Sequence, residues 1–196
     1  MSVPEEDPDI VTAKPSEKSN LTLDALDKLT QEDESLHRYK QALMGNIAVV
    51  DATKDPRKFV LVKLVIEMQD HPMGDAVYAF DMSLDSDVQR FHSVPIIFKE
   101  GCIYRFKLVF RVQHNISSNL QMNNKTTKAG IKLYTQKMFC GSFAPTVENH
   151  IWESELFEAP SGFFARTSFT GCVTIFDDDT THAELKYNAE VKSGWS

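Results

Sequence analysis

The sequence lacks the patterns that mark most enzymes and metal sites. It has no glycine-rich phosphate loop, no G-x-S-x-G nucleophile motif and no H-E-x-x-H zinc motif. Its six histidines are scattered without metal-site spacing, and the Asp177-Asp178-Asp179 triplet lacks the layout of a calcium loop. These absences predict a binding protein and not an enzyme, with no catalytic residues, no cofactor and no metal.

The sequence also lacks a basic cluster, a long apolar run and paired cysteines. Without clustered lysine and arginine, we expect no nucleic-acid partner. No apolar run approaches the ~20 residues of a membrane span, and the acidic start, MSVPEEDPDI, is unlike a signal peptide. Cys102, Cys140 and Cys172 show no C-x-x-C spacing, which favours buried free thiols. Together these features predict a cytosolic protein without stable membrane insertion.

Aromatic residues are missing from residues 1–34, which carry ten acidic and three basic side chains. The rest of the chain carries 18 of each sign and is neutral. This composition predicts a flexible acidic arm joined to a globular domain. Apolar spacing within the arm predicts two short helices, over residues 22–29 and from about residue 32 to Gly45. Such helices are marginal alone, so they dock on the domain or fold on a partner, and both alternatives stay open.

Beyond the arm, the sequence contains a succession of strand patterns. The clearest lies within Phe98–His114, where apolar and polar side chains alternate after the Glu100-Gly101 turn. The apolar positions are Tyr104, Phe106, Leu108, Phe110 and Val112. A strand with so aromatic a face needs a second apolar layer, which predicts one sheet packed on another. We therefore expect an all-β sandwich over residues 59–196, preceded by a regulatory arm over residues 1–58.

Three segments are less regular than these strands. Asp85–Arg90 is predicted to be a polar link, and Pro145–Gly162 a long connection. Asn115–Gly130 is polar, and the pattern leaves open whether it holds a further strand.

Several segments together resemble the Rho GDP-dissociation inhibitors. They are DESLHRYKQALMG (33–45), FKEGCIYRFKLVFRV (98–112), GSFAP (141–145), EAPSGFFARTSF (158–169), FDDDTTH (176–182) and a tryptophan, Trp195, near the C-terminus. They follow the order and spacing of that family over roughly residues 30–196. The resemblance implies an immunoglobulin-like β-sandwich that opens between its sheets to hold the geranylgeranyl group of a prenylated Rho-family small GTPase. It also implies that the arm folds into a helix-turn-helix on the GTPase switch regions.

The activity implied by this resemblance is regulation of the GTPase. Inhibitors of this family bind the GDP-bound form, slow GDP release and withdraw the GTPase from membranes into a soluble cytosolic complex. The implied lipid-pocket residues are Ile66, Ile96, Tyr104, Ile116, Phe164 and Tyr187. The implied GTPase-binding residues are Asp33, Ser35, Leu36, Tyr39, Leu43 and Asp179. We expect the free protein to be monomeric.

The sequence departs from the family pattern at the implied pocket. Leu185 and Tyr187 stand where a pair of tryptophans is usual, and Gly171 stands where a bulky aliphatic residue is expected. These departures predict a smaller and more polar wall, and they leave both geranylgeranyl and farnesyl tails open. Acidic residues near the family's cavity mouth attract the basic tail of the GTPase, and Glu148, Glu155 and Glu158 are the candidates here.

Two other binding functions compete with this interpretation. A carrier of prenylated or acylated proteins would use the same fold without a nucleotide effect, but it would not need the segment EDESLHRYKQALMG. An extracellular immunoglobulin-like adhesion domain would need a signal peptide and an inter-sheet cysteine pair at the usual spacing, and the sequence shows neither.

Overall fold

Two β-sheets packed face to face make up residues 55–195, the part of the chain that the computed structural model describes. The strands are β1 (Phe59–Met68), β2 (Tyr78–Asp81), β3 (Ile96–Lys99), β4 (Ile103–Val112), β5 (Ser117–Lys128), β6 (Ile131–Phe143), β7 (His150–Glu153), β8 (Phe157–Glu158), β9 (Ser168–Phe176) and β10 (Thr181–Lys192). A helix, α1 (Asp85–Ser93), follows β2. The predicted all-β sandwich is therefore confirmed. The two helices predicted for the arm lie outside the described residues.

The chain alternates between the two sheets. The first sheet has the strand order β2-β1-β4-β7, and β8 also pairs with the start of β4. The second sheet has the order β3-β10-β9-β5-β6. All neighbours are antiparallel except β3 and β10, which are parallel. Each sheet covers the apolar face of the other, as a β-sandwich requires.

Strand β4 has the two faces that its alternation predicts. Phe106, Leu108 and Phe110 are fully buried between the sheets. On the outer face, Arg105 forms ion pairs with Glu67 and Glu153 on the neighbouring strands. The longest aromatic strand of the sequence is therefore the centre of the first sheet.

The prediction of a polar link over Asp85–Arg90 is wrong, because these residues belong to α1. The helix carries Asp85 and Asp87 in its first turn and Arg90 in its last, which complements the helix dipole. It buries only Phe91, which packs edge-on against Phe80 of β2. The nine-residue helix contains only two apolar side chains, Val88 and Phe91, and its composition is otherwise that of a polar link.

The polar segment Asn115–Gly130 contains β5. Along β5 the inner face of the second sheet changes from apolar to polar side chains. Its even-numbered residues from Leu120 point into the sandwich, and Leu120 and Met122 are fully buried. The connection Pro145–Gly162 contains two further short strands, β7 and β8. Both segments form edges or walls of the site described below.

All three cysteines are free thiols, as predicted. Cys102 and Cys140 are buried, and burial raises the pKa of the Cys140 thiol to about 12. Cys172 is half-buried on β9. Within residues 55–195, no helix has both the length and the apolar character needed to cross a membrane.

Candidate functional site

A cavity of about 740 Å³ opens between the sheets where β5 ends and β6 begins. This volume lies within the range of small-molecule sites, ~300–1,000 Å³. Most of its lining is apolar or aromatic: Phe98, Tyr104, Leu133, Tyr134, Leu156, Phe157, Ala159, Pro160, Phe164, Ala165, Phe169, Tyr187 and Val191. The polar lining residues are Asn124, Thr126, Lys128, Gln136, Glu158 and Thr167. The arrangement suits an elongated apolar ligand with a polar end at the mouth.

Strand register arranges the inner side chains of the second sheet in three rows across β6, β5, β9 and β10. The mouth row is Tyr134, Thr126, Gly171 and Tyr187. The middle row is Gln136, Asn124, Val173 and Leu185. The inner row is Met138, Met122, Ile175 and Ala183. Met122 and Ile175 are fully buried, so the cavity gives way to packed core at the inner row.

A continuous chain of hydrogen bonds crosses the cavity wall. The hydroxyl of Tyr187 donates to Asn124 Oδ1 at 3.0 Å, and Asn124 Nδ2 donates to Gln136 Oε1 at 2.9 Å. Gln136 Nε2 in turn donates to the hydroxyl of Tyr104 at 3.1 Å. Tyr104 lies on β4, so this last bond joins the second sheet to the first. We call these four residues the polar belt.

The polar belt depends on the glycine beside Tyr187. Gly171 is directly opposite Tyr187 in the β9–β10 register, and a Cβ at residue 171 would overlap the Tyr187 ring. Because residue 171 has no side chain, the Tyr187 ring can cross β9 and bring its hydroxyl to Asn124 on β5. Burial raises the pKa of Tyr187, which is 2% exposed, so the hydroxyl stays neutral and can donate.

One wall of the mouth is a short loop held by Glu100. The carboxylate of Glu100 accepts hydrogen bonds from the Gly162 backbone N–H at 3.1 Å and from the Arg166 guanidinium at 2.7 and 3.0 Å. These bonds fix both sides of Phe163 and Phe164, whose rings are 79% and 94% exposed. Of the two, Phe164 lines the cavity, so the anchored loop gives the mouth an apolar rim.

The predicted lipid-pocket residues fall in different parts of the structure. Tyr104, Phe164 and Tyr187 line the cavity. Ile66 and Ile96 are fully buried and belong to the packed core, outside the lining. Ile116 immediately precedes β5, whereas the cavity lies at the other end of that strand. The structure thus brings together three of the six.

The predicted GTPase contact Asp179 lies away from the cavity, in the turn between β9 and β10. Its carboxylate pairs with Lys58 Nζ at 2.7 Å, and Lys58 also pairs with the buried Asp177 at 2.7 Å. Asp177 further accepts a hydrogen bond from Ser117, and His182 Nε2 lies 2.9 Å from it. This ionic cluster fixes the point at which the described chain enters the sandwich.

The environment of Asp177 holds it in its charged form. Burial by itself would raise the pKa of Asp177, but the neighbouring Lys58, His182 and Ser117 outweigh this effect and lower the pKa. Burial by itself would lower the pKa of Lys58. Its bonds to Asp177 and Asp179 outweigh this effect and raise the pKa above the usual value. The pair is therefore ionised at neutral pH.

The other predicted GTPase contacts, Asp33, Ser35, Leu36, Tyr39 and Leu43, lie outside the described residues. Conversely, sequence reasoning did not select Asn124 and Gln136, which form the middle of the polar belt. The signal that could have found Asn124 is the inner face of β5, which changes from Leu120 and Met122 to polar residues where the cavity begins.

Comparisons with known proteins give one consistent family assignment. A family model described as RHO protein GDP dissociation inhibitor matches residues 3–194. The chain belongs to the Rho GDP-dissociation inhibitor family. A putative rho GDP-dissociation inhibitor 1 of Dictyostelium discoideum is 36% identical over 184 residues, covering 90% of this chain and 89% of that protein. Rho GDP-dissociation inhibitor 1 of Homo sapiens is 32% identical over 194 residues, covering 97% of this chain and 90% of that protein. The Rho GDP-dissociation inhibitor of Saccharomyces cerevisiae is 32% identical over 178 residues, covering 87% and 86%.

Membership of the Rho GDP-dissociation inhibitor family confirms the resemblance seen in the sequence segments. The family consists of regulatory inhibitors and not of enzymes, in agreement with the absence of catalytic motifs from the sequence. The match begins at residue 3, so it includes the acidic N-terminal region as well as the sandwich.

Proposed function

We propose that this protein binds a prenylated Rho-family GTPase, preferably in its GDP-bound form, and holds the prenyl group in the cavity between its sheets. In this proposal it slows GDP release and keeps the GTPase in a soluble cytosolic complex. The observation that carries the proposal is an open apolar cavity inside the sandwich of a Rho GDP-dissociation inhibitor family member.

The energetics of burial support a lipid ligand. A twenty-carbon prenyl group gains ~0.8 kcal/mol for each buried carbon, a gross value on the order of 10 kcal/mol or more. Much of this gain only replaces what a bilayer already provides, so withdrawal from a membrane requires additional contacts with the protein part of the GTPase. We assign those contacts to the arm, residues 1–58, through Asp33, Ser35, Leu36, Tyr39 and Leu43, and to Asp179 on the sandwich.

The cavity lining supports an orientation for the ligand. Apart from the polar belt, the buried part of the lining is aromatic and aliphatic, with Phe98, Ala159 and Val191, whereas Glu158 and Lys128 line the cavity together with the exposed Leu133 and Phe164. A prenyl group attached to a protein must enter with its apolar end first and leave its attachment point near this polar rim. We place Tyr104, Phe164 and Tyr187 in contact with the tail, and Glu158 near the chain that follows it.

A matched pair of β6 variants tests the cavity as the lipid site. Leu133 lies at the cavity mouth and is 52% exposed, whereas Phe139 is 67% exposed on the same strand outside the lining. Leu133→Asp places a charge beside the tail, and we expect it to weaken binding of a prenylated Rho-type GTPase about tenfold or more. Phe139→Asp adds the same charge to the same strand and is expected to change binding less than about twofold.

The readouts are affinity for prenylated and unprenylated forms of one GTPase and release of a fluorescent GDP analogue. The proposal requires Leu133→Asp to weaken binding of the prenylated form only. Equal weakening of both forms, or equal effects of the two variants, would place the lipid elsewhere. Binding of a prenylated GTPase without any slowing of GDP release would favour a prenyl-protein carrier.

A further inference from the structure

The polar belt is the boundary between the open cavity and the filled core. All four of its members line the cavity, and their polar groups bond to one another across the wall. Immediately behind Asn124 and Gln136 in the register are Met122 and Met138, which are closely packed and buried. A ligand that fills the cavity from the mouth therefore meets the belt before it meets the core.

The belt opposes deeper entry of an apolar chain. To pass it, the chain would have to displace the Tyr187 ring and separate the hydrogen bonds of Asn124 and Gln136. The freed amide and hydroxyl groups would be buried against hydrocarbon without partners, which is unfavourable. A chain that ends at the belt leaves these bonds intact. Affinity should therefore increase with tail length only until the tail reaches the belt.

We infer that the polar belt sets the length of prenyl chain that this cavity accepts, and that Tyr187 and Gly171 are the determinants. The inference rests on the proposed function, because it names the tail preference of the same site. A water molecule takes ~30 Å³ in the liquid, and at about that volume per carbon, twenty carbons need about 600 Å³. That is most of the 740 Å³ available, which includes the open mouth. Part of that volume lies in the open mouth, where a tail gains little burial, so the far end of a twenty-carbon chain is the part that reaches the belt.

A length series of S-prenyl cysteine methyl esters tests this inference on the full-length protein. The probes carry ten, fifteen and twenty carbons, and competition with a fluorescent prenyl cysteine gives their affinities. For the wild type, we expect a clear gain from ten to fifteen carbons and less than about threefold from fifteen to twenty. Each carbon buried without hindrance would give much more than this.

The decisive variant replaces the belt by apolar groups of similar shape. Asn124→Leu, Gln136→Met and Tyr187→Phe together remove both partners of two of the three hydrogen bonds in the belt, a change that can be nearly neutral for stability. The Tyr104 hydroxyl keeps its place and loses only its bond from Gln136. We expect the step from fifteen to twenty carbons to rise to about tenfold or more in this triple variant. The matched control is Gln121→Met with Asn123→Leu. These neighbours on β5 are the same two residue types on the opposite face of the strand, and we expect wild-type behaviour.

The possible outcomes separate this inference from the proposed function. If the wild type gains equally at both length steps and the triple variant behaves in the same way, the belt is not the determinant, although the cavity still binds lipid. If the wild type binds none of the three probes, the lipid role of the cavity and this inference both fail. Tyr187→Phe alone keeps the ring and removes only the hydroxyl. If the triple variant does not fold, this single variant serves as the test. We expect it to increase the affinity gain from fifteen to twenty carbons by a smaller amount, and no increase would overturn the inference.

Discussion

The ring of Tyr187 occupies the space that a side chain at Gly171 would need. The two residues are directly opposite each other on β10 and β9, and a Cβ at residue 171 would overlap the ring itself and not merely a flexible chain end. Each residue therefore requires the other: the tyrosine needs a glycine beneath it, and the glycine leaves a gap that only a large side chain fills. The polar belt is a consequence of this pair.

Gly171→Ala should destabilise the sandwich because the Tyr187 ring must move and give up its bond to Asn124. We expect a loss of about 1–3 kcal/mol in the free energy of unfolding, measured by urea denaturation. In a Tyr187→Leu background the same substitution should cost much less, since the overlapping ring is absent. Additive costs in the double variant would show that the two residues are not coupled.

Glu100→Gln should release the loop that carries Phe163 and Phe164. The Glu100 carboxylate holds Gly162 and Arg166, and these bonds, chiefly that from Arg166, lower the pKa of Glu100. With a neutral amide the bidentate pair is lost, and limited trypsin cleavage after Arg166 should become faster. Glu155→Gln is the control, because Glu155 is an exposed glutamate between β7 and β8, outside the loop that Glu100 holds. Equal cleavage rates in both variants would argue against the anchoring role.

Asp177→Asn should destabilise the protein at neutral pH and have less effect in acid. The substitution removes the buried negative charge that pairs with Lys58, and we expect the free energy of unfolding to fall by about 2–4 kcal/mol. The folded-state pKa of Asp177 is lowered, so its stabilisation is complete above the unfolded-state value of ~3.9 and is lost as the pH falls below it. The difference in unfolding free energy between wild type and variant should therefore be nearly the same at about pH 6 and about pH 5, and smaller at about pH 3. A difference that stays constant would contradict the assignment of the charge.

Deletion of residues 1–45 should separate the two activities of the proposal. Every described strand begins at or after Phe59, so the shortened protein should remain folded and still bind a prenyl cysteine. It should lose most inhibition of GDP release, because contact with the switch regions is assigned to the arm. Asp33→Ala should act in the same direction with a cost of roughly 1–3 kcal/mol in binding. Full inhibition by the shortened protein would mean that the sandwich acts alone.

The three cysteines should all titrate as thiols under denaturing, non-reducing conditions. In the native protein, Cys172 is half-buried and should react first with a thiol reagent. Cys140 should be the slowest, because its burial raises its pKa to about 12 and leaves little thiolate at neutral pH. A total of one thiol on freshly purified protein would indicate a disulfide and would contradict the predicted cytosolic location.

The sequence predicted the features that depend on short-range periodicity. The alternation in β4 and the succession of strands were sufficient for the sandwich, and the family segments were sufficient for the family. Helix α1 was missed because it is short and mostly polar, with only Val88 and Phe91 as apolar residues. Gly171 and Tyr187 were each noted as departures, but their contact depends on the β9–β10 register.

The pairing within the polar belt could not be predicted, for the same physical reason. Asn124 and Gln136 are ordinary polar residues in their own segments, and they become partners only when β5 and β6 pair in one register. Ile66 and Ile96 show the opposite case, since an apolar residue on the inner phase of a strand can belong to the solid core as easily as to a cavity wall. Local alternation identifies the inner face of a strand and does not say where along the strand the two sheets separate.

The bond between Gln136 and Tyr104 also bears on how quickly the cavity can widen. Among the hydrogen bonds of the polar belt, it alone joins one sheet to the other. A neutral hydrogen bond of this kind contributes only about 1 kcal/mol net to stability. Thermal fluctuation breaks such a bond frequently, whereas the ladders within each sheet stay closed. Resistance to separation of the two sheets at the mouth therefore comes mainly from apolar contacts between them, such as that of the Phe98 and Tyr104 rings, whose centroids are 4.9 Å apart.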